Sequence, residues 1–414
     1  MIARYLPHWC YYLHQGMLTA LVMQGVVGYY RHAGLDLAQL SWLSLAMLPW
    51  VGKFLWAPWC ERNARSLRGN RFLGSLALLQ LGMAALLAGI ALIAPTLTDP
   101  TRSTAVVVCA LMLLTLLSAS HGIYANGIVI CTTDAGSRPL ANAAQVGGSY
   151  LGIPLGVFGF LAVAQQAGWT AGFLCMAGMS LLLLIPVLLV RQPIAHSTLP
   201  AQPRFDPAGL RMLWPALALT AIYYLAMRGL MALQTVLLVD QGLSLVALGQ
   251  AITVFSTLAS GLGVVFGGWL ARRVGAARGL LPVMLLHAAL ACAIALGYSR
   301  FGLSAWLVVF GLVNTATAIG FVMLYNVLMG LVRPHQPASD YALFQSLDMA
   351  VALAASMATL RLAHHAGYQS ALTLLAAVAV LCLWPASRLR RRVCRSTRAQ
   401  PAAPLDTCLS PRNG

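Results

Sequence analysis

The chain has 414 residues, of which 60% are hydrophobic and only 8% are charged. Soluble domains are about 45–50% apolar and about 25% charged, so this composition excludes an ordinary soluble globular protein. The formal net charge is +17, carried by arginines and a single lysine, Lys53. Because the arginines lie in short loops between long apolar segments, the charge indicates membrane topology and not nucleic-acid binding.

The first apolar segment begins shortly after Arg4 and contains His14 and Gln15. It shows no small-residue cleavage site of the kind that follows a signal peptide. We therefore expect it to be retained as the first helix.

Long apolar runs recur along the whole chain, and a membrane-spanning helix needs about 20 mostly apolar residues. The runs between polar breaks predict twelve spans, at 9–30, 40–59, 72–94, 104–130, 143–164, 170–190, 213–239, 245–270, 280–298, 303–332, 341–362 and 370–385. The fold class predicted from this pattern is an all-α membrane protein.

Twelve spans place both termini on one side of the membrane. Most of the 26 lysine and arginine residues fall on that side, whereas the other side holds Arg31, Arg102, Arg300 and Arg361. Cytoplasmic loops carry an excess of basic residues. The sequence therefore predicts that both termini are cytoplasmic.

Short sequences in the first half recur in the second half. Gly34–Leu40 has its counterpart in 242–248, Trp59-x-x-Arg62 in Trp269-x-x-Arg272, and Tyr11-Tyr-Leu13 in Tyr223-Tyr-Leu225. A parallel repeat of six helices is the plan of transporters that carry the substrate between two bundles. We predict a first six-helix bundle at 1–190, a proline-rich cytoplasmic linker at 191–212, a second bundle at 213–386 and a basic cytoplasmic tail at 387–414 that touches anionic lipid headgroups.

The motifs of several enzyme classes are absent from the sequence. Phe54 follows the only lysine, so the sequence contains no phosphate-binding P-loop motif. Glu61 is the only glutamate, and it is not part of an H-E-x-x-H zinc-protease motif. No G-x-S-x-G nucleophile turn occurs. The nine cysteines form no C-x-x-C pair, which predicts reduced packing thiols and no metal site. We expect neither an enzyme nor a resident cofactor.

The segment Leu48-Pro-Trp-x-x-Lys53-Phe-Leu-Trp-Ala-Pro58 resembles the major facilitator superfamily, in particular the branch of peptidoglycan-fragment permeases and ferric-siderophore permeases. The arginine-rich loop that follows stands where the characteristic loop of the superfamily lies, with Glu61 near the place of the usual aspartate. The residues that carry this family motif are Lys53, Trp56, Pro58 and Arg62.

A second segment, Ala338-Ser-Asp340-Tyr-Ala-Leu-Phe-Gln345-Ser-Leu-Asp348, is similar to siderophore permeases of the rhizobactin and pyochelin type. The resemblance implies a monomeric twelve-helix transporter of the bacterial inner membrane that imports an iron–siderophore complex, with ferripyochelin as the best candidate, and is driven by protons. Iron would then be part of the cargo. The alternatives are a permease for muropeptides or another bulky wall fragment, a small-molecule exporter, and a membrane sensor or scaffold that transports nothing.

Charged side chains inside a span cost about 2.5–3.5 kcal/mol each, so each needs a partner or a role. Arg228 lies in the middle of the seventh span, one turn after Tyr224. Its guanidinium suits the recognition of an anion, and a structural pairing with the other bundle is the alternative. In the eleventh span Tyr341, Gln345 and Asp348 share one helical face. Asp348 is predicted to exchange the coupled proton or to pair with Arg228.

Lys53 lies deeper in the membrane than Glu61. Its long side chain could reach the membrane surface or a local partner. Contact with the substrate is the alternative.

Hydrogen-bonding and aromatic residues of several spans are further candidates for substrate binding. Such a lining suits a large, flat, partly apolar chelate better than a sugar, although helix packing would explain each residue singly. The full set of predicted substrate-binding residues is His14, Gln15, Tyr124, Asn126, Tyr224, Arg228, Asn314, Tyr325 and Gln345.

Gly148, Gly152 and Gly156 in the fifth span predict a close approach by another helix, and Pro154 predicts a bend. The loops at 134–138 and 333–335 occupy matching places in the two halves. We predict that they are elements of a cytoplasmic gate.

Overall fold

A computed structural model describes residues 2–32, 42–92, 100–133, 136–191, 207–240, 257–333 and 336–399. Nearly all of these residues are helical. The first half contributes six helical segments, namely α1 (Ile2–Ala20, a π turn at Leu21–Gly25, and Val26–His32), α2 (short pieces Trp42–Met47, Leu48–Gly52, Lys53–Leu55 and Ala57–Arg62), α3 (Leu73–Leu92), α4 (Pro100–Thr132), α5 (Arg138–Pro154, continued through Leu155–Gly159 to residue 167) and α6 (169–189).

The second half contributes six more segments among the described residues. These are α7 (Pro207–Asp240), α8 (Thr257–Leu270, ending in the π turn Ala271–Gly275), α9 (Ala276–Gly297), α10 (Leu303–Met329), α11 (337–366) and α12 (368–399). They follow the order of the predicted spans, and the prediction of an all-α, twelve-helix membrane protein is confirmed.

Some predicted boundaries differ from the structure. Helix α7 begins at Pro207, inside the predicted linker, and α12 continues to Ala399, into the predicted tail. The repeated segments Gly34–Leu40 and 242–248, the first part of the eighth span, most of the linker and the end of the tail lie outside the described residues.

Three tight breaks between consecutive helices depend on glycine. Gly168 separates α5 from α6 with φ 84°, Gly275 separates α8 from α9 with φ 88°, and Gly367 separates α11 from α12 with φ 80°. Left-handed backbone of this kind is accessible to glycine at little cost, because glycine has no Cβ. Each helical pair can therefore reverse direction within a single residue.

The outer surface of the helices is apolar. Leu92 and Leu296 are more than four-fifths exposed, and Val265 is 73% exposed. The described residues contain seven helical stretches long and apolar enough to cross a membrane, and the three longest of these each include a glycine break. Because a soluble monomer rarely exposes such continuous apolar surface, this surface faces lipid. The chain is a multi-pass membrane protein.

Helices α1 and α5 pack closely through glycines. A Cβ on Gly152 would collide with the carbonyl oxygen of Leu13, and a Cβ on Gly156 would collide with that of Met17. Close backbone approach through small residues is characteristic of helix packing in membranes. In the second half, α7 packs against the stretch that comprises α11 and α12, and a Cβ on Gly229 of α7 would meet side chains of Thr359 and Leu375.

One end of the molecule, here called the arginine-rich end, is where α2 finishes at Arg62, α5 begins at Arg138 and α11 begins at Pro337. At this end α5 packs against α8 and α10, and α11 packs against α2 and α4. These contacts join the two halves of the chain. The halves are therefore closed against each other at the arginine-rich end.

Candidate functional site

Lys53 lies between the halves and not at the membrane surface. Pro49 and Pro58 divide α2 into short pieces, and Lys53 begins one of them. Its side chain is fully buried. The Nζ atom donates a hydrogen bond to Oε1 of Gln345 on α11 at 2.5 Å and lies 4.4 Å from the centre of the Trp50 ring. Lys53 therefore does not reach the surface, and its partner comes from the other half.

Gln345 also connects α11 to two more helices of the first half. Its Oε1 accepts a hydrogen bond from Nδ2 of Asn126 on α4 at 2.9 Å. The Oδ1 atom of Asn126 accepts one from the Tyr12 hydroxyl on α1 at 2.8 Å. A continuous, largely buried chain of hydrogen bonds thus links Tyr12, Asn126, Gln345 and Lys53 across the two halves.

Arg228 and Asp348 form an ion pair inside the second half. Nη2 of Arg228 lies 2.6 Å from Oδ2 of Asp348, and Nε lies 3.3 Å from Oδ1. The Tyr325 hydroxyl donates to Oδ2 at 3.0 Å, and the guanidinium lies 4.8 Å from the centre of the Phe321 ring. The pair is mostly buried, with side-chain exposure of 18% for Arg228 and 5% for Asp348.

The two groups of contacts are neighbours, because Gln345 and Asp348 are three residues apart on one face of α11. We call Lys53, Asn126, Arg228, Gln345 and Asp348 the central polar site. It holds two cationic side chains and one carboxylate. Among the described residues, Lys53 takes part in no ion pair. With Lys53 protonated, the site therefore carries an excess of positive charge in surroundings of low polarity.

Other predicted substrate-binding residues have different positions. Asn314 donates to Gln234 at 3.2 Å and to the Phe310 carbonyl within the second half. Tyr124 is buried against Phe72. Gln15 is half-buried, and its Oε1 has no hydrogen-bond partner among the described residues. The side chain of Tyr224 lies outside the described part of the structure.

His14 faces the interior of the first half. It is fully buried, and its Nε2 lies 2.7 Å from Oγ of Ser180 on α6. The His121 ring lies 5.2 Å away, and Gln80 joins the group by donating to the Ser180 carbonyl at 2.8 Å. This cluster was not predicted from sequence, because spacing along a helix does not show which neighbouring helix a buried face meets.

The other residues of the family motif support α2 or face solvent. Nε1 of Trp56 donates to Ser120 at 3.1 Å, Pro58 lies in the first turn of the piece Ala57–Arg62, and Arg62 is exposed. The sequence analysis predicted that these residues form the family motif, but it predicted no contact between any of them and the other half of the chain.

Glu61 makes the contact between halves that sequence reasoning missed. Its carboxylate accepts hydrogen bonds from the backbone N–H groups of Ala338 and Ser339 at 3.2 and 2.8 Å and from the Ser339 hydroxyl at 2.5 Å. Burial raises the pKa of Glu61 to about 7, although these hydrogen bonds and Arg71 oppose the rise. The sequence signal that could have identified Glu61 as a functional residue is that it is the only glutamate of the chain.

Further contacts close the same end. The Tyr341 hydroxyl on α11 donates to Gln145 on α5 at 3.0 Å. Arg333 pairs with Asp340 at 2.7 Å, which fixes the start of α11. Parts of both loops predicted as gate elements, residues 134–135 and 334–335, lie outside the described residues.

The described residues contain no group of three or more His, Cys, Asp or Glu side chains that could hold a metal ion. The prediction that iron enters only as part of a transported chelate stays a prediction.

No family model matches the sequence. Solved structures of transporters are nevertheless similar over almost the whole chain. The human organic anion transporter TETRAN is 17% identical with a TM-score of 0.67, and the match covers 93% of this chain and 98% of that one. The E. coli fucose:proton symporter is 15% identical with a TM-score of 0.69, covering 94% and 98%.

A bacterial homologue of the iron transporter ferroportin, solved in an outward-facing state, is 12% identical with a TM-score of 0.70, and the match covers 94% of this chain and 99% of that one. Identities this low establish the fold alone, but the coverage includes both halves. The chain therefore has the twelve-helix fold of major facilitator superfamily transporters.

Proposed function

We propose that this protein is a secondary active transporter that carries an anionic small molecule across the membrane through the central polar site. The observation that carries the proposal is Lys53, a fully buried lysine bonded only to neutral groups among the described residues. An uncompensated buried cation is costly. A transported anion would supply the missing charge.

Arg228 supports the same conclusion from the second half. A guanidinium binds carboxylate or phenolate oxygens through a fork of donors. With Asp348 it already forms such a fork inside the protein. An anion that approaches Arg228 would compete with Asp348 and weaken the ion pair.

This competition gives a mechanism for proton coupling. A carboxylate that loses its cationic partner in surroundings of low dielectric binds a proton more readily. Asp348 would take up a proton when the substrate engages Arg228 and would release it when the ion pair forms again. Tyr325, which donates to Asp348, keeps the carboxylate oriented in both states.

Closure at the arginine-rich end supports alternating access. The contacts of Glu61 and Tyr341 join the halves there. Rocking of the two halves about the central polar site would break these contacts and expose the site to the arginine-rich side, as proposed for transporters built from two repeats.

For the substrate, we propose a ferric siderophore of the pyochelin type, imported into the cytoplasm of a bacterium. Phenolate and carboxylate oxygens of such a chelate match Lys53 and Arg228, and the rings of Trp50 and Phe321 beside these cations match its aromatic part. The similarity of the segment 338–348 to siderophore permeases supports this choice.

Uptake into proteoliposomes tests the proposal. Labelled ferripyochelin should accumulate when an inward proton gradient is applied. A sugar or a muropeptide, neither of which contains iron, should not accumulate. In cells, deletion of the gene should abolish iron uptake from this chelate alone. Accumulation of muropeptide but not of the chelate would favour the second candidate and overturn the siderophore assignment.

A further inference from the structure

Helices α9 and α12 lie side by side, and their contact continues to the arginine-rich end, where α9 begins and α12 ends. Gln369 of α12 donates to the Ala295 carbonyl of α9 at 2.8 Å near the opposite end. At the arginine-rich end, Nη1 of Arg390 on α12 donates to the carbonyl oxygens of Ala277 and Arg278 on α9, at 3.5 and 3.4 Å.

The bond from Arg390 replaces one that α9 itself lacks. Residue 282 is a proline, so the Arg278 carbonyl has no N–H four residues further along the helix to accept from. Arg390 supplies this donor from α12. The backbone of Arg278 is thereby held next to the last turns of α12, two residues along from Arg388.

One face of α12 changes from apolar to basic towards this end. Leu381, Trp384 and Arg388 follow one another at i, i+3 and i+7, and Leu381 and Trp384 are 72% and 63% exposed. The Arg388 guanidinium is exposed and lies 3.9 Å from the centre of the Trp384 ring. Tryptophan is enriched at the membrane–water interface. The lipid headgroups therefore lie at the level of Trp384 and Arg388.

Helix α9 shows the same change on an exposed face of its own. Arg278, Pro282 and Leu285 follow at i, i+4 and i+7, and all three are exposed. Because Arg390 bonds the backbone of Arg278, this arginine lies at the same level as the end of α12. Two exposed guanidinium groups thus stand at headgroup level above apolar surface.

These arginines have no counter-charge in the described part of the chain. The described acidic side chains at this end are Glu61 and Asp340. The first accepts hydrogen bonds from the start of α11, and the second pairs with Arg333. Any anion that neutralises Arg278 and Arg388 therefore comes from outside the described structure.

The first half shows that the fold does not require this arrangement. Helix α6 follows the break at Gly168 as α12 follows the break at Gly367. Counted from these breaks, the positions of the α12 face are occupied in α6 by Leu182, Ile185 and Leu189, all of them exposed. The equivalent face is thus apolar throughout, and the Trp384–Arg388 pair is particular to the second half.

We propose that the seam between α9 and α12 is a binding site for one anionic phospholipid, with its phosphate on Arg278 and Arg388 and its acyl chains against Leu285 and Leu381. The planar guanidinium group matches phosphate oxygens through a fork of donors. Basic pockets between membrane helices bind anionic headgroups in this way. The site is defined by these side chains, and it differs from a diffuse attraction between the whole tail and the membrane.

Lipid titration tests the site without any transport measurement. The delipidated full-length protein in a neutral detergent is titrated with phosphatidylglycerol, and native mass spectrometry counts the lipids bound to each chain. The wild-type protein should bind about one phosphatidylglycerol before any other, and phosphatidylcholine much more weakly. Free glycerophosphate, which has the phosphate but no acyl chains, should not displace the bound lipid.

Two variants and one control locate the lipid. Arg278→Gln with Arg388→Gln should weaken binding of the first lipid, by about fivefold for each arginine removed. Trp384→Ile, which installs the residue of the first half, should also weaken it. Arg191→Gln is the matched control, because Arg191 is exposed and follows the break in the first half at the same distance as Arg390 in the second.

The control should bind the first lipid as the wild-type protein does. If the double variant bound phosphatidylglycerol as tightly as Arg191→Gln, the attraction would be diffuse and the proposed site would not exist. Equal binding of phosphatidylcholine and phosphatidylglycerol by the wild-type protein would also overturn the proposal, because the phosphate charge would then not be recognised.

Discussion

Lys53 in α2 and Gln345 in α11 meet across the two halves of the chain, with Nζ 2.5 Å from Oε1. The same Oε1 atom accepts from Asn126. A lysine and an amide of the first half therefore share one acceptor atom that the second half supplies. Rocking of the halves must either keep this contact as a pivot or exchange it for contacts with the substrate.

The first prediction concerns the charge of Lys53. Lys53→Met keeps the length of the stem but removes the cation, so it should lower kcat/KM for uptake of an anionic substrate at least about tenfold, or about 1.4 kcal/mol. Proteoliposome uptake measures this effect. Arg62→Met, which removes an exposed cation at the last residue of α2, should leave uptake unchanged. Equal uptake by Lys53→Met and wild type would remove Lys53 from substrate binding.

The second prediction concerns Asp348 and coupling. Asp348→Asn cannot exchange a proton, so counterflow exchange of substrate should persist while stimulation by a proton gradient disappears. Because the change leaves Arg228 without its carboxylate, it should also destabilise the protein, since breaking a buried pair costs about 3–5 kcal/mol. The double variant Arg228→Gln with Asp348→Asn should recover thermal stability but not coupling. If a proton gradient stimulated uptake by Asp348→Asn as strongly as uptake by the wild-type protein, a residue other than Asp348 would have to carry the coupled proton.

The helices were accessible from sequence because they depend on local pattern. Twenty apolar residues in a row predict a span whatever its neighbours are. The face of α11 that carries Gln345 and Asp348 likewise follows from helical spacing. The glycines of α5 predicted a close helical approach, and the structure shows that α1 is the helix that approaches.

Apart from the pairing of Asp348 with Arg228, which opposite charge suggested, partners in other helices could not be predicted in this way. His14 and Gln15 are adjacent in α1, yet His14 contacts Ser180 inside the first half. Glu61 bonds Ser339, far away in the sequence. Which helix a polar face meets depends on the packing of all twelve, and a single sequence contains no signal of pairwise contact.

The third prediction concerns the packing of α1 against α5. Gly152→Leu should prevent folding, because even a Cβ would collide with the Leu13 carbonyl, which belongs to a backbone that cannot move aside. Gly178→Leu is the control, since a Cβ there would meet nothing within 4 Å. Size-exclusion chromatography of the detergent-solubilised proteins should show a folded peak for the control alone. A folded Gly152→Leu variant would contradict the observed approach.

The fourth prediction is the pH dependence of the closed arginine-rich end. With the halves closed, burial gives Glu61 a pKa of about 7, whereas in water its ordinary value is 4.5. Between these values the closed state binds more protons than an open state in which Glu61 is solvated. Closure is therefore favoured at low pH, and its stability falls as pH rises from about 4.5 to about 7, with a change in the open-to-closed ratio approaching tenfold per pH unit.

Distance measurements between spin labels on the two halves follow this equilibrium. Labels on Arg65→Cys and Arg273→Cys, both exposed at the arginine-rich end, in a background without other reactive cysteines, should show a growing fraction of long distances as pH rises through that window. Glu61→Gln, which cannot ionise but keeps an oxygen acceptor for Ser339, should give a distribution that does not change with pH. The same pH response in both proteins would assign the titration to another group, because only the wild-type protein can release a proton from position 61 when the halves separate.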